Sequence, residues 1–594
     1  MSKLIHQYAS ALALLAVLAG LVAATYLIPE NPDSAVFRNG TLGTILLFAC
    51  WFPVRHAFRH ASLRTLIAGC GFGLAYALAL SLGAELNFYD KLLPGMGSML
   101  RRIAVPFMAA PLLGGLAARV MLMMDDPRKD GRLSRTANLP MGAYIAILLI
   151  LWLPLLIAYF PGMLNYDFNT EYRQFFYGEW DNRHPLLYIV LCYAVFALGR
   201  LADQPELAIF AVTLVRMVTF AAALAYSCIF VQRRLAPAWA LALMTAGYGL
   251  LPIFSVMSVS AAKDTPFAAA LLVFSLLSWE ALEDPKAFFS GRKKPAVFLL
   301  MTVLTWHMRK NGMAACVLLP LLIVLLRGYR AQMARLCAAS IAASVLLGMG
   351  LDLAFKPFDQ PSFQLYSLPA QQLVRAYNVG DMTEDEKEEL RSWYVDDDWG
   401  LRLYPHLADA AKGYIDQKKL KAEADSFMDL WQRVGRRNVR VYTEAFLMLN
   451  IGSWYPDDLS HATIYRDTSG LTKGYLQTDE YDFTKYGVAE FNPLPKVRNF
   501  YERICRLNEY RKYPVVTALF CTATPLWVIA FACAMLIARR KTRMIAPASG
   551  VMALWLSYLF GPCTLARYML PLFCLAPVLL ILAFCIPGNS VSES

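Results

Sequence analysis

The sequence predicts an all-α polytopic membrane protein with about 14 spans. Of its 594 residues, 58% are hydrophobic and only 17% are charged, whereas soluble proteins carry roughly 25% charged residues. Apolar runs recur along the chain, and most approach the length of about 17 to 25 residues that crosses a hydrocarbon core as a helix. The first run, ALALLAVLAGLVAATYLI, lacks a convincing signal-peptide cleavage site, so we interpret it as a retained span.

The predicted spans alternate with basic loops, and these loops set the orientation of the chain. A short apolar segment at 185–199 decides the result. If this segment crosses the membrane, the later basic clusters fall on the opposite side from the first two. If it does not cross, all of them share one side, as the preference of Lys and Arg for the cytoplasm favours. We therefore interpret 185–199 as a juxtamembrane or re-entrant segment at the outer face, with both termini cytoplasmic. The spans are then 9–28, 41–54, 64–84, 102–123, 140–160, 207–231, 237–256, 264–282, 295–308, 311–326, 336–355, 514–537, 545–560 and 567–586.

The charge of the chain argues against a nucleic-acid partner, and its cysteines argue against disulfides and thiolate metal sites. The net charge of +12 is accounted for by the cytoplasmic clusters, so no nucleic-acid partner is predicted. Most of the twelve cysteines lie in apolar runs, where they pack as small hydrophobic residues, and no CxxC motif occurs. The sequence therefore predicts neither a disulfide framework nor a thiolate metal site.

The hydrophilic stretch at 356–512 is predicted to be a mainly helical extracytoplasmic domain. Thr383 and Glu386 have the spacing of a capping box, and 419–437 has the pattern of one amphipathic helix. The chain then divides into N-terminal additional spans at 1–125, a transmembrane core at 140–355 with a first outer loop at 161–206, the outer domain at 356–512, and C-terminal spans at 513–590.

The first outer loop carries an unusual group of polar residues. Asp167 and Glu171 are four residues apart, so a helix beginning here places both carboxylates on one face. A carboxylate at a partly dry membrane surface gains proton affinity, which suits a general base acting on a hydroxyl. The alternative is an interfacial loop with solvated acids, in which His184 marks only a helix-entry turn.

Cations from distant segments are predicted to reach the same face. Lys263 begins a span, Arg309 and Lys310 interrupt an apolar hairpin, and Arg567 with Tyr568 opens the last span. Together they suit an anionic group such as a phosphate at headgroup depth. Each also has a simpler interpretation: a local ion pair of Lys263 with Asp264, snorkelling of the hairpin cations to lipid headgroups, or an interfacial anchor at Arg567.

Several motifs resemble those of the GT-C membrane glycosyltransferases. The chain looks most like the branch that contains protein mannosyltransferases and the lipid A aminoarabinose transferase, and more narrowly it is similar to a bacterial family of multipass GT-C-like proteins. The resemblance covers roughly 140–590. It is carried by FPGMLNYD, RHPLLY, AAKDTPF, MRKNG, a segment such as LTKGYL or YPHLADAAKGY, and ARYMLP.

The resemblance implies a GT-C-like helix bundle and a role for each candidate residue. Asp167 is implied as the catalytic base, and Glu171 as the other catalytic residue, with Glu171 and His184 shaping the acceptor or donor pocket. Substrate binding is implied for His184, Lys263, Arg309, Lys310, Arg567 and Tyr568, with the cations on the lipid phosphate. In the mannosyltransferase pattern a second acid directly follows the first, whereas Phe168 follows Asp167 here. This departure leaves the division of labour between Asp167 and Glu171 open.

The predicted function is an inverting transfer of a sugar from a polyprenyl-phosphate donor to a lipid, glycan or protein hydroxyl, in cell-envelope modification. The site is expected on the extracytoplasmic side of the bacterial cytoplasmic membrane. No cofactor is required, because Lys and Arg can hold a monophosphate; a divalent ion on Asp167 and a neighbouring acid is the alternative. The competing function is a transporter or flippase for a lipid-linked or anionic solute, and a different membrane enzyme, such as a polysaccharide polymerase, is the third.

Overall fold

The computed structural model describes residues 2–27, 40–123, 138–164, 167–181, 184–358, 363–457, 487–489, 491–504 and 518–585. Within these residues the fold is helical and contains no β-strand, only isolated bridges. Eight of the described helices are long and apolar enough to cross a membrane, or nine if the bent pair Ala238–Leu250 and Pro252–Val259 is one span. The prediction of a helical membrane protein is thereby confirmed. The LTKGYL segment lies outside the described residues.

The N-terminal helices form their own small bundle. The contact between the helices Leu63–Tyr89 and Met96–Met123 is close because it is lined by small residues: a Cβ on Gly73 would lie 2.6 Å from the backbone nitrogen of Gly114. Small residues let membrane helices approach to backbone distance. The helices are α1 (Ser2–Gln7), α2 (Ala9–Thr25), α3 (Gly40–His60), α4 (Leu63–Tyr89) and α5 (Met96–Met123).

One helix, α12 (Asp264–Glu283), lies at the centre of the main bundle. Its most apolar window is 83% buried, against 22% for the span Arg327–Phe355 at the periphery. A helix that is apolar on all sides is expected at such a buried position. Around it lie α6 (Met141–Ala158), α7 (Asp167–Tyr177), α8 (Leu186–Leu201), α9 (Pro205–Gln232), α10 (Ala238–Leu250), α11 (Pro252–Val259), α13 (Pro285–Phe289), α14 (Lys293–His307), α15 (Leu318–Leu325) and α16 (Arg330–Phe355).

Five of the predicted spans are helices shorter than the eight that qualify by length, so the number of crossings remains a prediction. They are Ala9–Thr25, Lys293–His307, Lys310–Leu325, Thr524–Ala538 and Ala546–Tyr558. The segment predicted not to cross is the 16-residue helix α8, and it packs along α9. A Cβ on Gly199 would overlap the Cβ of Ala208, so the absence of a side chain allows this contact.

The hydrophilic region is helical and has its own core. Within 363–457, residues such as Leu373, Phe427 and Leu430 are fully buried against one another. The predicted capping box is present, with Thr383 and Glu386 each bonding the other's backbone. The single amphipathic helix predicted at 419–437 is wrong, because the chain breaks at Glu423 into two helices. The helices are α17 (Ser367–Val379), α18 (Glu384–Arg391), α19 (Asp397–Gly400), α20 (Asp409–Gly413), α21 (Gln417–Ala422), α22 (Ala424–Arg437), α23 (Val439–Leu449), α24 (Ile451–Trp454) and α25 (Pro495–Ile504).

The helical domain contacts the bundle where the last span begins. The backbone nitrogen of Ala408 donates to the carbonyl of Pro562 at 2.8 Å, and the Asn450 amide donates to the carbonyl of Leu559 at 2.9 Å. These contacts hold the domain beside the loop before Arg567. The C-terminal helices are α26 (Thr524–Ala538), α27 (Ala546–Tyr558) and α28 (Leu570–Cys585), and 3₁₀ segments lie at Lys310–Val317, Arg327–Tyr329, Phe363–Tyr366, Thr542–Ile545 and Ala566–Met569.

Candidate functional site

A short backbone contact brings together the two loops that carry Asp167 and Lys263. The backbone nitrogen of Met163, after α6, donates to the carbonyl of Val259 at 3.0 Å, and the nitrogen of Ala261 donates to the carbonyl of Met163 at 2.7 Å. This parallel bridge fixes the start of α7 against the start of α12. Residues nearly one hundred positions apart in the sequence therefore share one site.

Asp167 is held by cations from two other segments. One carboxylate oxygen, Oδ2, accepts from Lys263 Nζ at 2.9 Å and from Arg567 Nη1 at 3.1 Å. The residue is only 8% exposed. Burial by itself would raise the pKa of Asp167, but the charges of Lys263 and Arg567 outweigh it and hold the pKa well below its usual value. Asp167 is therefore ionised.

Glu171 lies one helical turn further along α7 and is more deeply buried, at 2% exposure. Its Oε2 accepts from the hydroxyl of Tyr193 at 3.1 Å, and its Oε1 lies 3.6 Å from Lys263 Nζ. His184 Nδ1 lies 2.7 Å from Lys263 Nζ. The same ring nitrogen lies 3.4 Å from Glu171 Oε1. Lys263 is thus the centre of the group, with Asp167, Glu171 and His184 around it.

A third buried acid at the site is Asp264, and it pairs with arginines. Arg309 forms an ion pair with it, and Arg567 Nη1 lies 3.7 Å from its Oδ2. The guanidinium of Arg309 also lies over the rings of Tyr558 and Tyr568, 4.9 and 4.3 Å from their centroids. Arginine on an aromatic face adds a cation–π attraction that strengthens when water is excluded. The local ion pair of Lys263 with Asp264, the simpler interpretation of the sequence, is wrong, because each residue has partners elsewhere.

The predicted site residues therefore fall into two groups. The structure brings together seven of the eight: Asp167, Glu171, His184, Lys263, Arg309, Arg567 and Tyr568. The eighth, Lys310, is exposed at the start of its 3₁₀ segment. Sequence reasoning did not assign Asp264 or Tyr193 to the site. The acid in AAKDTPF was a usable signal for Asp264, whereas Tyr193 lies in an apolar helix and had none.

The charges of the cluster nearly cancel. Three buried carboxylates, those of Asp167, Glu171 and Asp264, meet three cations. An incoming anion thus competes with a carboxylate for its cation, because each of these cations already has an acidic partner. Ion pairs at such depth are stable only when both partners are present.

Three of these side chains have the ligand types of a divalent-cation site. One ligand atom from each of Asp167, Glu171 and His184 lies within 4.8 Å of the others. Lys263 Nζ, however, is 2.9, 3.6 and 2.7 Å from those side chains, respectively. The ammonium group takes the central position that a metal ion would need. The residues do not fit a divalent ion while Lys263 lies there, and the protein supplies the positive charge itself.

An apolar groove of about 1340 Å³ runs along the last helix. Its walls come from α10, α26 and α28, and they include Leu243, Met244, Phe573 and Leu580. Phe573 lies six residues after Arg567, so the groove begins within two helical turns of the cluster. An apolar chain in this groove has one end near the buried cations.

Comparison with known proteins gives one match. A model of a family of unknown function, DUF6020, matches residues 177–592. His184, Lys263, Arg309, Lys310, Arg567 and Tyr568 lie inside the matched range, whereas Asp167 and Glu171 lie just before it. No curated protein and no solved structure matches the chain. Because the matched range covers more than half of the sequence, the protein belongs to the DUF6020 family.

Proposed function

We propose that the protein is a membrane glycosyltransferase that moves a sugar from a polyprenyl-phosphate donor to a hydroxyl acceptor at the outer face of the membrane. One observation carries the proposal: a single buried carboxylate oxygen of Asp167 accepts from both Lys263 and Arg567. The carboxylate, a potential base, thus lies within hydrogen-bond distance of two cations that suit a leaving phosphate. The GT-C resemblance of the surrounding motifs supports the same reaction.

The two cations act on the leaving group. As the bond between the anomeric carbon and the phosphate oxygen breaks, the lipid phosphate takes the electron pair and gains negative charge. Lys263 and Arg567 stabilise this charge in a site that excludes water, where fixed charges act most strongly. The groove beside α28 supports a lipid-linked donor, since an isoprenoid tail needs an apolar surface near the cations.

Asp167 removes the proton of the acceptor hydroxyl as its oxygen bonds to the anomeric carbon. With both cations on the carboxylate, its pKa is too low for an effective base, because a catalytic base works best with a pKa near the operating pH. Binding of the donor phosphate draws Lys263 and Arg567 towards the phosphate. Asp167 then loses stabilising charge and gains proton affinity, so the base becomes effective only when donor is present.

Glu171 has a supporting role in this proposal. It is more buried than Asp167 and accepts from Tyr193. Its contact with Lys263, at 3.6 Å, keeps the ammonium group near Asp167 and His184. Glu171 therefore positions Lys263, while Asp167 meets the acceptor.

The test measures release of the carrier. Purified protein in lipid nanodiscs is incubated with polyprenyl-phosphate sugars extracted from the source membranes, together with a delipidated envelope extract as acceptor. Free polyprenyl phosphate is followed by mass spectrometry, and its release by the wild type but not by Asp167→Asn supports the proposal. Movement of an intact lipid-linked sugar across proteoliposomes without release of carrier would instead support a flippase. No release under any of these conditions would contradict the glycosyltransferase.

A further inference from the structure

A basic pocket lies in the N-terminal bundle, outside the range matched by the family model. Four of its residues come from the RHAFRH segment of α3: Arg55, His56, Arg59 and His60. On a helix, positions four apart share a face, so the two arginines lie one above the other and the two histidines lie beside them. Arg119 of α5 closes the pocket, which has a volume of about 790 Å³.

The pocket is remote from the Asp167 cluster. Helix α4 begins at Leu63, three residues after the pocket's last histidine, and its 27 residues extend for about 40 Å. At its far end, the backbone nitrogen of Leu92 donates to Glu444 of the helical domain at 3.0 Å. The pocket is therefore at the opposite end of the N-terminal bundle from that domain.

The positive charge in this pocket has no acidic partner among the residues that the structure describes. Arg59 and Arg119 form no hydrogen bond or ion pair with them. Arg55 Nε donates to the hydroxyl of Ser10 at 2.8 Å, and its guanidinium lies 5.2 Å from the ring centroid of Trp51. Like charges at positions four apart destabilise a helix. The cytoplasmic preference of basic residues explains their number. It does not explain why two helices direct them into one cavity.

We propose that this pocket binds the phosphate headgroup of an anionic membrane lipid. The chemistry favours a phosphate, since guanidinium groups form paired, charge-assisted bonds with its oxygens. The rim favours a lipid: Phe52 and Pro53 line the pocket, and Phe52 is 58% exposed on the same apolar helix. Basic pockets between membrane helices bind anionic headgroups in this way. The site would tether the N-terminal bundle to the leaflet that holds the basic loops.

The test compares two lipids on the purified full-length protein. Native mass spectrometry is performed from micelles with equimolar dioleoylphosphatidylglycerol and dioleoylphosphatidylcholine, for the wild type and for Arg59→Gln/Arg119→Gln. The double variant should reduce the preference for the anionic lipid by about tenfold or more, as expected for loss of charge-assisted contacts. Arg64→Gln, an exposed arginine outside the pocket, is the matched control and should keep the preference.

Inorganic phosphate separates the two sources of the ligand. If millimolar phosphate leaves the lipid preference intact, the headgroup and its chains are recognised together. If millimolar phosphate displaces the lipid from the wild type, the pocket binds phosphate without the lipid chains. A soluble phosphate compound is then the ligand, and the lipid proposal is overturned. An equal effect of Arg64→Gln, or no effect of the double variant, would overturn the proposal. Arg119→Gln alone gives the same comparison if the double variant does not fold.

Discussion

Replacing Asp167 with asparagine should separate catalysis from donor binding. The asparagine side chain keeps the size of the aspartate but cannot take a proton, so turnover should fall by about 10² to 10⁴, the usual worth of a general base. The structure adds a second effect of opposite sign. In the wild type the donor phosphate competes with the Asp167 carboxylate for Lys263 and Arg567, at 2.9 and 3.1 Å. Without that carboxylate, both cations are available to the phosphate.

The expected gain in binding follows from those two contacts. A hydrogen bond to a charged group contributes about 1.5 to 3 kcal/mol, and about 1.4 kcal/mol corresponds to a tenfold change in affinity. Polyprenyl phosphate should therefore bind Asp167→Asn about tenfold or more tightly than the wild type. A residue that only stabilised the fold would show no such gain.

The assay measures both quantities on the same preparation. Turnover is the release of polyprenyl phosphate, and affinity comes from displacement of a fluorescent short-chain polyprenyl phosphate. Glu171→Gln is the matched control, because Glu171 shares the face of α7 but, of the two cations that hold Asp167, pairs with Lys263 and only at 3.6 Å. Its effect on affinity should be smaller. Near-normal turnover of Asp167→Asn, with loss in Glu171→Gln, would show that the wrong carboxylate has been named, and normal turnover in both would refute the mechanism.

Four further predictions test the site and the topology. Arg309→Gln should lower the free energy of unfolding by about 3 kcal/mol, because the variant leaves buried Asp264 without its closest cation. Lys310→Gln, which changes the exposed neighbouring residue, should alter the free energy of unfolding little in the same thermal-unfolding measurement. EDTA should leave turnover unchanged, since Lys263 supplies the central positive charge, and loss of activity that Mn²⁺ restores would contradict this. The pKa of Asp167 in the folded state is below the value of about 3.9 expected when the chain is unfolded. Its ion pairs therefore contribute stability at neutral pH, and this contribution is lost as the pH falls below about 4. The unfolding temperature should thus decrease more steeply in acid for the wild type than for Asp167→Asn. A cysteine at exposed Tyr177 should react with an impermeant thiol reagent from outside in intact cells, whereas one at exposed Ser290 should react only after permeabilisation; the reverse result would invert the topology.

Local patterns in the sequence were sufficient to predict the helices and part of the site. The length of each apolar run predicted a membrane helix. In lipid, a spanning segment must form its backbone hydrogen bonds within itself, and a helix does this. The four-residue spacing of Asp167 and Glu171 predicted that both lie on one helix, and α7 contains both. The capping box at Thr383 was likewise predicted from four consecutive positions.

The tertiary structure alone decided which charges meet. Asp167 binds Lys263 and Arg567, which are 96 and 400 positions away. No periodic pattern in the sequence predicts such pairings, because they depend on the backbone bridge at Met163 and on how the helices pack. The adjacent Lys263 and Asp264 even suggested a false pair, since neighbouring residues in a chain need not face each other once a helix begins between them. The sequence thus determined which residues are available at the membrane surface, and the packing of the helices determined their partners.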